Sequence, residues 1–219
     1  MFYLFANCNF VPGRYEDWQS AYDELGEYVW HNEKTTETYY FGIPMDYAHD
    51  ISNTTLMLAF EVYGKREDLY QTHFSSPAMS TFLSKIPPTM TTGLDLVHYS
   101  LSSGYLDGPG DSRPCGIMSD HVITCNSHGD RNTVLSQLKA LTKTVEESES
   151  KSSVYTFMAF SSLDNDVGVR IYGRYKDRAT YETFQRRQEM VDFWLESKDQ
   201  VKAMAQRLYV PNGKGWLHR

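Results

Sequence analysis

Apolar and polar positions change period along this chain, and the changes mark out two similar series of elements. Residues 2–10 alternate and are rich in aromatics, the pattern of a strand. A Pro12-Gly13 turn follows, and across 14–31 Trp18, Tyr22, Leu25 and Val29 recur at helical spacing. Segments 36–43 and 55–64 are strongly β-prone. The stretch 66–86 reads as a helix broken near Ser75-Ser76-Pro77, because proline disfavours the helical backbone of the residue before it. Pro87-Pro88 ends it, and 93–101 reads as a fourth strand. The series then repeats: strand 116–127, helix 130–148, strands 153–162 and 167–175, helix 177–205, and a last strand near 206–211.

Residue identities support the repeat. Ala6-Asn7-Cys8-Asn9 is echoed by Ile123-Thr124-Cys125-Asn126, and Phe60-Glu61-Val62-Tyr63-Gly64-Lys65 by Val169-Arg170-Ile171-Tyr172-Gly173-Arg174. Tyr70, Thr72, Met79 and Phe82 recur as Tyr181, Thr183, Met190 and Phe193 at one constant offset of 111. The three offsets are 117, 109 and 111, which calls for a shorter middle loop in the second half and a longer turn after Tyr172-Gly173. The expected fold is therefore α+β: two fused ferredoxin-like βαββαβ repeats forming an intramolecular dimeric α+β barrel. The first repeat spans 1–101, a Gly/Pro/Ser-rich linker 102–114, and a divergent second repeat 115–219.

Composition narrows the function classes. With 41% hydrophobic and 14% aromatic residues, the chain builds a core rather than staying disordered. A formal charge of −7 argues against a nucleic-acid partner, whose phosphates need clustered Lys and Arg. No run approaches the roughly 18 apolar residues of a membrane span, and the N-terminus lacks the basic flank of a signal peptide. Three cysteines, Cys8, Cys115 and Cys125, form no even framework, so a reduced, cytoplasmic chain is expected. A tandem chain carries its own pseudo-partner, so monomer is the default and homodimer the alternative.

At Thr38-Tyr39-Tyr40-Phe41-Gly42-Ile43-Pro44, at Phe60-Glu61-Val62-Tyr63, and at Tyr70-x-x-His73-x-Ser75-Ser76-Pro77, the chain resembles the antibiotic biosynthesis monooxygenase (ABM) family in its fungal tandem form. The resemblance is good over 2–100 and rests on the repeat alone over 116–211. It implies oxygenation without metal, flavin or haem, molecular oxygen being the co-substrate, on a small hydrophobic molecule of secondary metabolism. Candidates are a polycyclic phenol, an anthrone-like polyketide, or an oxylipin ketone such as a jasmonate.

Such chemistry needs a base, donors for the enolate or phenolate, and a dry pocket. Histidine is the natural base, and His73 holds the family-like position, with Phe184 at the matching place in the second repeat. A structural role, capping the break before Ser75-Ser76-Pro77, is the competing reading of His73. Asn7 shares one face of the first strand with Asn9 and is the candidate for orienting oxygen. Asn9, Trp30, Tyr39, Tyr40 and Phe74 are the expected substrate contacts, of which Tyr39 and Tyr40 face opposite ways. No His-x-x-x-His or paired-cysteine spacing points to a metal, and no Gly-x-Gly-x-x-Gly run to a dinucleotide. Ser80, Ser84 and Lys85 stand where a haem-degrading relative would carry its iron ligand. A non-oxidative cyclase or decarboxylase, and a binding barrel without turnover, remain open alternatives.

Overall fold

A computed structural model describes residues 1–107, 113–148 and 152–219; the middle of the expected linker, 108–112, lies outside them. The elements run β1 (Phe2–Asn9), α1 (Tyr15–Asn32), β2 (Thr36–Pro44), β3 (Leu56–Tyr63), a π-helical turn (Asp68–His73), α2 (Pro77–Lys85) and β4 (Asp95–Tyr105). The second series is β5 (Ile117–Cys125), α3 (His128–Glu147), β6 (Val154–Ser162), β7 (Gly168–Tyr175), α4 (Arg178–Gln185), α5 (Gln188–Ser197) and β8 (Val201–Trp216). The chain is α+β, and its strands hydrogen-bond in the closed order β1-β3-β2-β8-β5-β7-β6-β4, as expected of a fused α+β barrel. It forms two compact units, Met1–Val97 with Asn212–Arg219, and His98–Pro211.

In the first unit β1 and β2 flank β3, all antiparallel, and residues 212–216 of β8 lie beside β2. Gly215 has φ +73°, and a Cβ there would fall 1.8 Å from the Tyr39 carbonyl oxygen; only glycine lets the two backbones approach this closely. α1 presents Trp18, Tyr22, Leu25 and Val29 to the core, the stripe read from the sequence. Ser76 caps α2 by accepting a hydrogen bond from the Met79 amide, and Pro77 takes its first turn, where no amide hydrogen is needed.

In the second unit β7 lies between β5 and β6, β4 adds beside β6, and β8 beside β5. Its core includes a buried ion pair, in which the Arg170 guanidinium donates to both Asp120 carboxylate oxygens at 2.6 and 2.7 Å.

Two expectations are corrected. The helix expected over 177–205 is a pair of helices, Arg178–Gln185 and Gln188–Ser197, and the chain from Val201 is already strand. Lys202, Ala203, Met204 and Ala205 have helical propensity, yet pairing with β5 overrides it. The repeat register also shifts. Phe2 pairs with Tyr63 and Ile117 with Tyr175, so Tyr63 corresponds to Tyr175 rather than to Tyr172. Leu4 pairs with Glu61 and Ser119 with Gly173, so Gly173, not Arg170, stands in the place of Glu61. The loop between strands is indeed shorter in the second repeat, but no longer turn after Tyr172-Gly173 is required.

Candidate functional site

Strand alternation builds the floor of a cavity in the first unit. Side chains two residues apart share a sheet face, and paired residues on neighbouring strands stand side by side. Leu4, Glu61 and Tyr39 form one such row across β1, β3 and β2, and Ala6, Ala59 and Phe41 form the next. All six line the cavity. Two alanines in the second row leave room that larger residues would fill. Trp18 of α1 and Met79 and Phe82 of α2 form the opposite wall, so the space lies between sheet and helices. Counting the part open to solvent, it holds about 390 Å³ and is lined mainly by apolar side chains.

The polar side chains in it are few and connected. His73 ends the π-helical turn that follows β3. Asp68 starts that turn by accepting from the Lys65 amide at 2.9 Å. π-turns add a residue per turn and are frequent where a side chain must be re-aimed. The His73 ring is 1% exposed, and its Nδ1 lies 2.7 Å from Glu33 Oε2. A neutral imidazole donating through Nδ1 to a carboxylate keeps the lone pair on Nε2, the form that accepts a proton. Nε2 has no hydrogen-bond partner among the described residues. The Tyr39 ring packs edge-on against the imidazole, centroids 5.7 Å apart.

Glu33 occupies the C-terminal end of α1, where the helix dipole disfavours a carboxylate. His73 and the chain's tail offset this. The Arg219 guanidinium donates to the Glu33 and Val29 carbonyls, Trp216 Nε1 donates to the Thr36 carbonyl at 3.3 Å, and Thr38 Oγ1 to the Leu217 carbonyl at 2.8 Å. The C-terminal residues thus pack back on the first unit.

Glu61 is the second buried acid. The Tyr63 hydroxyl donates to its Oε2 at 2.7 Å. Burial raises its carboxyl above the ordinary value, opposed by the nearby His73 and the Tyr63 bond and reinforced by Glu33. Burial also pushes the Tyr39 and Tyr63 phenols well above their usual range, so both remain proton-bearing donors. Trp18 Nε1 is buried without a partner, a donor not yet used by the protein.

No protein-family model matches the chain, and no curated protein matches it by sequence. Solved structures do match its fold. A Fusobacterium nucleatum protein named "Putative monooxygenase" superposes with a TM-score of 0.81 at 13% identity, covering 99% of this chain and 94% of that one. A Lactobacillus acidophilus protein of the same name gives 0.78 at 11% identity, covering 99% and 95%. An "anthrone oxidase-like protein" gives 0.60 at 13%, covering 99% and 92%. At these identities the likeness is one of fold.

Of the residues singled out by sequence, His73, Tyr39 and Phe74 line the cavity. The others do not. Asn7 and Asn9 share a face of β1, as alternation requires, but the cavity takes the opposite face, Leu4, Ala6 and Cys8. Their amides donate instead to Asp95 at 3.3 Å and to Thr92 at 3.2 Å. Tyr40 lies on the far face of β2 from Tyr39 and Phe41. Trp30 is 40% exposed and packs on Trp216, with the Arg219 guanidinium 4.9 Å from its ring centre. The imidazole of His73 bonds to Glu33, while the break before Pro77 is capped by Ser76.

Glu33, Glu61 and Trp18 were not foreseen as site residues. Glu61 had a signal, being the one charge in the apolar run Leu56–Tyr63. The second repeat lacks this polar set. Gly173 replaces Glu61, Phe157 replaces Tyr39 and Phe184 replaces His73; a Cβ at Gly173 would come 2.5 Å from the Tyr175 hydroxyl. The Phe184 ring contacts those of Phe157 and Tyr175 at centroid distances of 5.2 and 5.5 Å, giving an aromatic cluster instead.

Proposed function

We propose that the first unit is the reaction chamber of a cofactor-independent monooxygenase acting on a small hydrophobic substrate, an anthrone-like or polycyclic phenol or an oxylipin ketone. The observation that carries this reading is the Glu33–His73 pair at the edge of a mainly apolar cavity. Glu33 fixes the ring so that Nε2 takes a proton from the substrate's activated C–H or O–H. The resulting carbanion or phenolate is electron-rich enough to pass one electron to molecular oxygen, after which the two radicals combine. Trp18 Nε1 and the Tyr39 phenol are the donors nearest to hand for the developing oxyanion. The apolar wall of Leu4, Phe41, Met79 and Phe82 keeps water from quenching it.

Molecular oxygen is the co-substrate in this reading, and no resident cofactor takes part. The structural neighbours named as monooxygenases and as anthrone oxidase-like support it through their fold. The second unit, aromatic where the first is polar, serves as scaffold. Among the described residues no helix is long and apolar enough to cross a membrane.

The test is oxygen uptake by chelator-treated protein offered anthrone-type ketones and cyclic oxylipin ketones. Uptake with equimolar oxygenated product, lost in His73→Phe, is the expected result. Product formed equally well without oxygen points to a cyclase or decarboxylase. Saturable binding with no turnover points to a carrier.

A further inference from the structure

Helices commonly stop at a glycine in the left-handed region, where the amides just beyond the helix take up its last carbonyls. α1 ends differently, at Glu33 with φ −110° and ψ 76°, and the same residue supplies the carboxylate that holds His73. Its backbone is secured from outside the helix. The Arg219 guanidinium donates to the carbonyls of Val29 at 3.0 Å, of Glu33, and of Thr36 at 3.3 Å. These belong to the last turn of α1, its cap and the first residue of β2. Two indole rings flank the guanidinium, with the centres of Trp30 and Trp216 4.9 and 5.5 Å from its carbon. A flat fork with five N–H donors bridges carbonyls that a single ammonium cannot. Its positive charge also meets the negative end of the helix dipole.

The Glu33 carboxylate has little else to orient it. It is buried, its Oε2 bonds to His73 at 2.7 Å, and its Oε1 has no partner. The side chain therefore points where the Glu33 backbone aims it. None of residues 212–219 lines the cavity, so the tail reaches the pair without touching the space a substrate would fill. We infer that Arg219 is a positioning residue: seated between Trp30 and Trp216, it fixes the Glu33 backbone and, through Glu33, holds the neutral His73 ring with its proton on Nδ1 and Nε2 left to accept one. Residues 212–219 are then a strap whose seating sets the pair. The effect on the ring follows from these contacts alone, and the effect on turnover rests on the oxygenase reading.

Arg219→Ala removes the fork and leaves the cavity lining untouched. In protein labelled with ¹⁵N-histidine, the His73 ring is assigned by its loss in His73→Phe. In wild type it is expected to show a protonated Nδ1 that exchanges slowly with water, and an unprotonated Nε2. In Arg219→Ala that proton is expected to exchange at least about tenfold faster, through local opening, with both tautomers populated. Arg219→Lys, which cannot bridge three carbonyls, should behave like Arg219→Ala. Lys85→Ala breaks the exposed Lys85–Glu24 bond, which also ties α2 to α1, and should leave the His73 signals unchanged. A ring unaltered in Arg219→Ala, or altered as much by Lys85→Ala, overturns the inference. In turnover, kcat of Arg219→Ala is expected to fall by about tenfold to a hundredfold with KM within about threefold, because the misplaced group takes the proton and does not bind the substrate. Unchanged kcat beside a working wild type refutes the positioning role. A wild type that consumes no oxygen refutes the oxygenase reading instead, and the His73 spectra then decide the role of Arg219.

Discussion

Replacing His73 by phenylalanine puts into the first repeat the residue that the second carries at the corresponding place, Phe184. An aromatic ring is therefore compatible with the local fold. The cost falls on Glu33. Its Oε1 is buried without a partner, and its Oε2 bonds to His73 at 2.7 Å, so the substitution strands a carboxylate with neither oxygen paired. Leaving a buried carboxylate without its partner costs about 3–5 kcal/mol, the cost of an uncompensated buried charge. In a domain of this size about 1 kcal/mol moves the thermal midpoint by about 2–4 °C. His73→Phe should thus lower the midpoint by roughly 6–20 °C. Adding Glu33→Gln removes the charge and should restore most of the loss, a coupling of about 2 kcal/mol or more. Urea unfolding of wild type, both single variants and the double variant measures it. Additive effects, or a His73→Phe protein within about 0.5 kcal/mol of wild type, would refute the account of a buried and mutually dependent pair.

Two further outcomes follow from other residues. Burial lowers the His121 imidazole in β5 from 6.5 to about 4, only partly opposed by the neighbouring Asp120 carboxylate. Between those values the unfolded chain binds more protons than the native one. The contribution is complete above about 6.5 and is lost as pH falls towards 4, up to about 3 kcal/mol; a His121→Phe variant followed by urea unfolding across pH 4–7 should show a flatter profile, and an identical slope would count against it. Ala59→Leu adds bulk to the cavity floor beside Ala6 and Phe41, so turnover should fall by at least about tenfold. The stability change should stay within the usual overpacking range of about 1–3 kcal/mol, and undiminished turnover would show that the substrate sits elsewhere.

The elements were legible because strand alternation and the α1 stripe of Trp18, Tyr22, Leu25 and Val29 are local signals. The last strand was expected near 206–211, but the beginning of Val201–Trp216 was hidden because its first residues prefer helix and only pairing with β5, distant in sequence, makes them extended. The register of the repeat misled for a similar reason. Tyr-Gly occurs at Tyr63-Gly64 and at Tyr172-Gly173, but hydrogen bonding aligns Tyr63 with Tyr175. In the site, the alternation of β1 correctly grouped Asn7 with Asn9. The wholly apolar face of β1, with Leu4, Ala6 and Cys8, turns to the cavity, and the two amides take the other. Glu33 was invisible because its partner lies forty residues on, at the end of a π-turn that spacing alone does not reveal.

The most direct test of the central claim is isotopic. Chelator-treated wild-type protein is given an anthrone under ¹⁸O₂, with His73→Phe as control, and product and water are analysed by mass spectrometry. The account predicts one labelled oxygen in the organic product and the other in water, with label incorporation abolished in the variant. Turnover without incorporated label, or label incorporation undiminished in His73→Phe, would contradict it.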